Sequence, residues 1–130
     1  MKNKNSEILK IDNLDIQFPI FGGVFQKTIS TVHAVKKVSL SLMKGETLGI
    51  VGESGSGKST LGNAILNVLR LTAPDVKISG KVSLLKNNKE IELLSLSRSD
   101  MKPYRKHIQM IFQDPYSSLN PRMIVKDIIR

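Results

Sequence analysis

The sequence predicts an α/β fold, and three observations carry that expectation. An apolar run at residues 47–51 leads straight into a glycine-rich loop, and that loop opens into a helical pattern at residues 58–71. Segments 8–11 and 38–42 alternate apolar with polar side chains, the period of a half-buried antiparallel strand. A strand, a loop and a helix in immediate succession belong to mixed sheet–helix architectures, and the alternating segments add an antiparallel part before them.

Taken in order, residues 8–11 form the first strand, and residues 18–32, which hold Pro19, Gly22 and Gly23 among apolar side chains, form a loop or hairpin insertion. Residues 38–42 follow as a strand, Lys44, Gly45 and Glu46 as a turn, and residues 47–51 as a buried strand. The helix at 58–71 rests on Leu61, Ile65, Leu66, Val68 and Leu69 at helical spacing, with Pro74 beyond it as a stop signal. Residues 82–85 read as a strand before the polar turn 86–89. Ser99 is the expected N-cap of a short basic helix running to about Lys106, with Pro103 early enough to be tolerated. Residues 108–112 are a further strand, opening into the turn-rich stretch 113–121.

The length of 130 residues suits one domain, and 40% hydrophobic with 24% charged side chains is enough to build a core. A net charge of +9 favours polyanionic company such as nucleotide phosphates, nucleic acid or an acidic membrane surface. Without cysteine, disulfide frameworks, thiolate metal sites and thiol nucleophiles are excluded. The polar start at Met1 leads into no secretory signal, and no apolar run approaches the roughly 18 residues of a membrane span.

Gly52, Glu53, Ser54, Gly55, Ser56, Gly57, Lys58 and Ser59 spell G-x-x-x-x-G-K-[ST], with Thr60 following. Glycines let such a backbone close into a nest whose N–H groups converge on a phosphate, and the helix that follows adds the positive end of its dipole. Lys58 is the candidate to bridge the β- and γ-phosphates, the hydroxyl of Ser59 the candidate Mg²⁺ ligand, and Thr60 a support for the α- and β-phosphates. Glu53, Ser54 and Ser56 fill positions where the pattern demands no particular residue. The bland alternative is a Gly/Ser-rich linker, which the strand before and the helix after disfavour. The glycine order G-x-x-G-x-G also disfavours a dinucleotide site.

Gln109-Met-Ile-Phe-Gln113-Asp114-Pro115, followed by Ser117-Ser-Leu-Asn-Pro-Arg-Met123, resembles the Q-loop region of ATP-binding cassette (ABC) transporter ATPases. The resemblance is closer to their oligopeptide/dipeptide (peptide/nickel) importer branch, which residues 45–60 also fit, and it extends over residues 8–130. Arg122 after Pro121 is more similar to the second of the two ATPases in such importers than to the first.

The resemblance implies a RecA-like P-loop NTPase core with an antiparallel β-subdomain. Residues 1–130 would be the N-terminal part of a single nucleotide-binding domain, holding the β-subdomain, the P-loop and the Q-loop, with the helical subdomain only begun. The signature motif, the Walker B acid with its catalytic glutamate, and the switch histidine do not occur, so the chain reads as truncated. ATP and Mg²⁺ are the implied cofactors, with residues 52–60 on the triphosphate. Gln113 would sense the γ-phosphate through Mg²⁺ or the attacking water, which makes it a catalytic and metal-contacting candidate beside Lys58 and Ser59. Phe18 is the implied adenine-stacking residue, with Phe21 and Phe25 as alternatives.

The implied partners are transmembrane permease subunits, a second ATPase subunit in a homo- or heterodimer and, indirectly, an extracytoplasmic solute-binding protein; nucleic acid is not expected. The implied place is peripheral, on the cytoplasmic face of the membrane, and the implied activity is a transport-coupled ATPase for peptides or a related small solute. Residues 1–130 alone would be marginally folded or aggregating, and inactive. The rival readings are a soluble ABC-type ATPase and a nucleotide-binding fragment without activity. Lys102, Arg105, Lys106 and Arg122 read as a solvated basic face, and His33 and His107 stand too far apart in sequence to suggest a metal site. Asp114 is not the acid that ends a second nucleotide-binding strand, because Gln113 interrupts the apolar run before it.

Overall fold

A computed structural model of the chain describes residues 7–22, 27–86, 89–111 and 126. Strand β1 (Glu7–Gly22) and strand β2 (Lys27–Met43) form one long antiparallel hairpin, paired from Glu7 with Met43 to Gly22 with Lys27. Of the loop or hairpin expected over residues 18–32, the hairpin is found. Strand β3 (Lys77–Lys86) pairs with β1 from Leu9 with Leu84 to Gln17 with Lys77, and β4 (Lys89–Glu92) folds back on β3. The sheet order is β2-β1-β3-β4, antiparallel throughout. The expected strands 8–11, 38–42 and 82–85 all lie within it, each shorter than the strand that contains it.

A bulge decides which side chains of β1 face the core. Asn13 takes φ 48°, and the pairing with both neighbours shifts register there, so Leu14 and Ile16 point to the same face as Ile11. All three are buried. Gly80 of β3 (φ 92°) lies against the bulge, where an added Cβ would sit 2.6 Å from the Asn13 carbonyl carbon and 2.7 Å from the Asp12 oxygen. Only glycine combines that φ with that approach. Val35 and Val82 complete the sheet's share of the core, and helix α1 (Lys58–Ile65) adds Leu61 and Ala64. The short helix α2 (Leu69–Thr72), a 3-10 turn at Leu93–Ser95 and Met101 close it with Leu69, Leu93, Leu94 and the methionine.

Three sequence expectations need correction. The helix expected over 58–71 is two helices, because Asn67 adopts φ 52° and ends α1. The Val68 N–H returns to the Asn63 carbonyl and the Asn67 N–H to the Ala64 carbonyl, the paired bonds of a left-handed helix stop. The Asn67 amide then donates to the carbonyls of Leu93 (2.7 Å) and Leu96 (3.1 Å), and Arg105 donates to the Leu66 carbonyl at 2.6 Å. The basic helix α3 spans only Lys102–Arg105, with Pro103 in its first turn and no side-chain cap. Ser97, not Ser99, organises the turn before it: its hydroxyl accepts the Asp100 N–H and its carbonyl the Met101 N–H.

The third correction concerns residues 47–51 and 108–111, which are extended or irregular and belong to no strand; residue 112 lies outside the described residues. Leu48, Ile50, Val51 and Ile111 stand in the open, with Val51 94% and Ile111 96% exposed, while Ile108 packs in part against the core. A strand exists only when its N–H and C=O groups find a ladder, and none of the four described strands offers one to either segment.

Candidate functional site

The glycine-rich loop leaves the end of residues 47–51 and returns to the body of the fold at α1. Gly57, the residue before α1, has φ 91° and packs on the backbone of β2. A Cβ there would overlap the Ala34 carbonyl oxygen and lie 3.1 Å from its carbon, so both the turn and the close approach require glycine. The start of the helix is thereby keyed to the edge strand of the sheet.

The first-turn N–H groups of α1 have no helical acceptors behind them, no side chain caps the helix, and no acid lies in its first turn. A concentration of N–H dipoles facing outward without a carboxylate suits an anion. Lys58 curls back over its own loop: its Nζ donates to the carbonyls of Gly52 (2.8 Å) and Glu53 (2.6 Å) and to the Ser56 hydroxyl (3.2 Å). The ammonium therefore sits among the loop residues that the motif assigns to phosphate.

Two hollows meet at this loop. One, of about 150 Å³, is lined by Ala34, Gly55, Ser56, Gly57, Lys58, Ser59 and Thr60, a small polar cradle at the helix start. The other, of about 300 Å³, shares Ala34, Ser56, Gly57 and Lys58, then extends over apolar side chains of β2 and of the preceding segment, among them Val35, Val38 and Ile50. The structure thus brings Gly52, Gly55, Ser56, Gly57, Lys58, Ser59 and Thr60 to a common place. Glu53 and Ser54 are exposed on the loop. The motif did not foretell the part of β2, where Ala34 lines both hollows.

Phe18 is half-buried on β1 opposite Val32, packed against the core, and lines neither hollow. Gln113, Asp114, Arg122 and Phe25 lie outside the described residues. Among those described, no cluster of three His, Asp or Glu side chains is placed to hold a metal. A small hard cation that keeps most of its waters and borrows oxygens from bound phosphates needs little more from the protein than the exposed Ser59 hydroxyl. The donor set thus fits a phosphate-bound Mg²⁺ and does not fit a cation held by protein alone. No described helix is long and apolar enough to cross a membrane.

Comparison with known proteins identifies the family. The oligopeptide transport ATP-binding protein AppF of Bacillus subtilis is 43% identical over 124 residues, which covers 95% of the chain and 35% of that protein. The glutathione import ATP-binding protein GsiA of Escherichia coli K12 is 40% identical over 122 residues, 94% of the chain and 18% of that protein. GsiA of Salmonella paratyphi A is 43% identical over 118 residues, 91% of the chain and 17% of its own length. The chain therefore spans about a third or less of these relatives. Residues 35–128, from the β2 strand that carries the glycine contact onward through the loop, match the family model described as ABC transporter, and the chain belongs to that family.

Proposed function

We propose that the chain is part of the ATP-binding subunit of an ABC importer that couples ATP binding and hydrolysis to uptake of peptides or a related small solute. The observation that carries this reading is the cradle itself: an uncapped helix start, a glycine loop keyed to β2, and Lys58 lying among the loop carbonyls. The relatives, an oligopeptide transport and a glutathione import ATP-binding protein, support the importer part. In this proposal the chain supplies the antiparallel part and the phosphate loop of a P-loop NTPase domain with a RecA-like core. Residues 47–51 would gain their sheet partners from strands other than the four described.

The residues divide the work by position. The backbone of residues 52–57 and the first turn of α1 receive the phosphates of ATP. Lys58 leaves its loop carbonyls and turns its ammonium to the β- and γ-oxygens, holding the charge that develops as the terminal phosphoryl group departs. Ser59 contributes its hydroxyl to Mg²⁺, which when bound neutralises the phosphate oxygens. Gln113 reports occupation of the γ-position to the membrane subunits, and Phe18 gives the adenine a flat face. The implied partners are permease subunits and a second ATPase subunit, with the domain peripheral at the cytoplasmic face of the membrane.

The test is ATP binding and hydrolysis by the full-length subunit. Lys58→Ala is expected to abolish turnover, because phosphoryl transfer leaves the protein little to do beyond positioning and charge stabilisation. Turnover at the wild-type rate in that variant refutes the site.

A further inference from the structure

Away from the glycine loop, a hollow of about 180 Å³ lies where α2, the turn after the 3-10 segment and α3 come together. Arg70, Arg98 and Arg105 line it, one from each of these places, and among the described residues no carboxylate does. It shares no residue with either hollow at the loop. Among the described residues none of the three arginines is ion-paired, and the nearest approach of a basic ring to a carboxylate there is His33 Nδ1 to Asp15 Oδ1 at 3.7 Å. Asp100, close to Arg98 in sequence, turns its carboxylate to the Ser97 hydroxyl at 2.6 Å. Three cationic side chains thus line one hollow, and among the described residues no carboxylate lines it with them to offset their mutual repulsion.

The geometry is also held in place. Arg105 Nη1 donates to the Leu66 carbonyl at 2.6 Å, and Arg70 Nη1 reaches the Leu94 carbonyl at 3.5 Å. Each guanidinium has five N–H donors, so these contacts orient the groups and leave most donors free. Asn67, also in the lining, is fixed by its two carbonyl acceptors. Arg98, exposed and in the lining, makes no hydrogen bond among the described residues. Planar guanidinium forks match the oxygens of a tetrahedral phosphate better than any other common side chain. The space of about 180 Å³ is enough for a phosphate group.

We infer that this arginine hollow is a second anion site, distinct from the glycine loop, that takes a single phosphate group, either as inorganic phosphate or at the end of a small phosphomonoester. Calorimetric titration of the full-length protein with inorganic phosphate and with glycerol phosphate tests it. Saturable binding is expected that Arg98→Gln weakens about tenfold or more, consistent with loss of a charge-assisted fork, and that persists in Lys58→Ala. Arg70→Gln, on a different element, is expected to give the same loss, so a local folding defect at either position does not decide the result. Tighter binding of glycerol phosphate assigns the site to an ester, and tighter binding of inorganic phosphate to the free ion.

The inference is overturned if the wild type shows no saturable binding, or if both arginine variants bind as the wild type does. It is also overturned if Lys58→Ala abolishes the signal, which leaves phosphate at the glycine loop alone. Displacement by equimolar chloride marks an adventitious ion only and overturns it equally.

Discussion

Gly57→Ala is the sharpest test of how the loop is held, because two separate costs fall on one methyl group. At φ 91° and ψ 4°, any residue other than glycine carries strain of about 1–3 kcal/mol. The new Cβ would also overlap the Ala34 carbonyl, a backbone group of β2 that cannot rotate aside. Forcing a carbon into occupied space typically costs about 1–3 kcal/mol more. The sum, about 2–6 kcal/mol, is a large share of the roughly 5–15 kcal/mol by which a domain is stable.

Gly55→Ala is the matched control: φ is 80° there, but a Cβ meets nothing within 4 Å, so only the strain of about 1–3 kcal/mol applies. Urea unfolding of the full-length protein followed by circular dichroism compares the two. Gly57→Ala is expected to be less stable than Gly55→Ala by about 1–3 kcal/mol, the overlap alone. Equal midpoints would show that β2 yields freely and that the loop is not keyed to the sheet.

Three further outcomes follow from the same structure. Asn67→Ala removes two side-chain hydrogen bonds and strains a left-handed residue, so a loss of about 2–4 kcal/mol is expected in urea unfolding, with Asn67→Gly losing less because glycine accepts φ 52°. If Phe18 stacks on adenine, Phe18→Ala lowers ATP affinity by about 1 kcal/mol and Phe18→Tyr restores it; no change at Phe18 with a loss in Phe25→Ala moves the stacking role to Phe25. Partial loss of water contact, then the charges of Lys86 and Lys106, hold the His107 pKa below the ordinary value of 6.5, with Lys86 Nζ 2.7 Å from Nε2. Its imidazole is therefore expected to titrate below 6.5 by NMR, and Lys86→Met to raise the midpoint. Because the unfolded chain binds that proton more readily, the His107 contribution to stability is complete above 6.5 and fades as pH falls toward the folded value.

What the sequence disclosed was what short stretches decide for themselves. The loop and the first turn of α1 were legible because Gly57, Lys58 and Ser59 lie side by side, and the φ of Gly57 is a local demand. The long hairpin was only half legible: Pro19 and the two glycines after it suggested a break, yet β1 runs through Pro19. Pro19 lies two residues past the last β1–β3 pair at Gln17, where a missing N–H leaves no ladder incomplete on the β3 side. Apolar spacing carried the helix past Asn67, since periodicity does not reveal that carbonyls 26 and 29 residues away will capture its amide. The strand at 47–51 failed for the same reason at larger scale. Thr47 to Val51 have the composition of a buried strand, but a strand is a property of a pair, and no described segment pairs with it. The contribution of Ala34 to the cradle came through a backbone carbonyl, which leaves no trace in residue type.

The unequal lengths of the β1 pairings divide the sheet into two mechanical regimes. From Leu9 to Gln17 the strand is laced on both sides, whereas from Phe18 to Gly22 it is laced to β2 alone, and Ile20, Phe21, Ile29 and Val32 lie exposed on that stretch. The outer hairpin can therefore unzip from its tip while the four-stranded part stays closed, and its amides should exchange with solvent in an earlier, separate class. Phe18 is the first residue beyond the doubly laced part, paired with Val32. An aromatic ring at that boundary has its root in the rigid regime and its cross-strand support in the soft one. A base resting on it would slow exchange along residues 18–22 and 27–32, far beyond the atoms it touches, because holding one ring in place fastens the fork of the zipper.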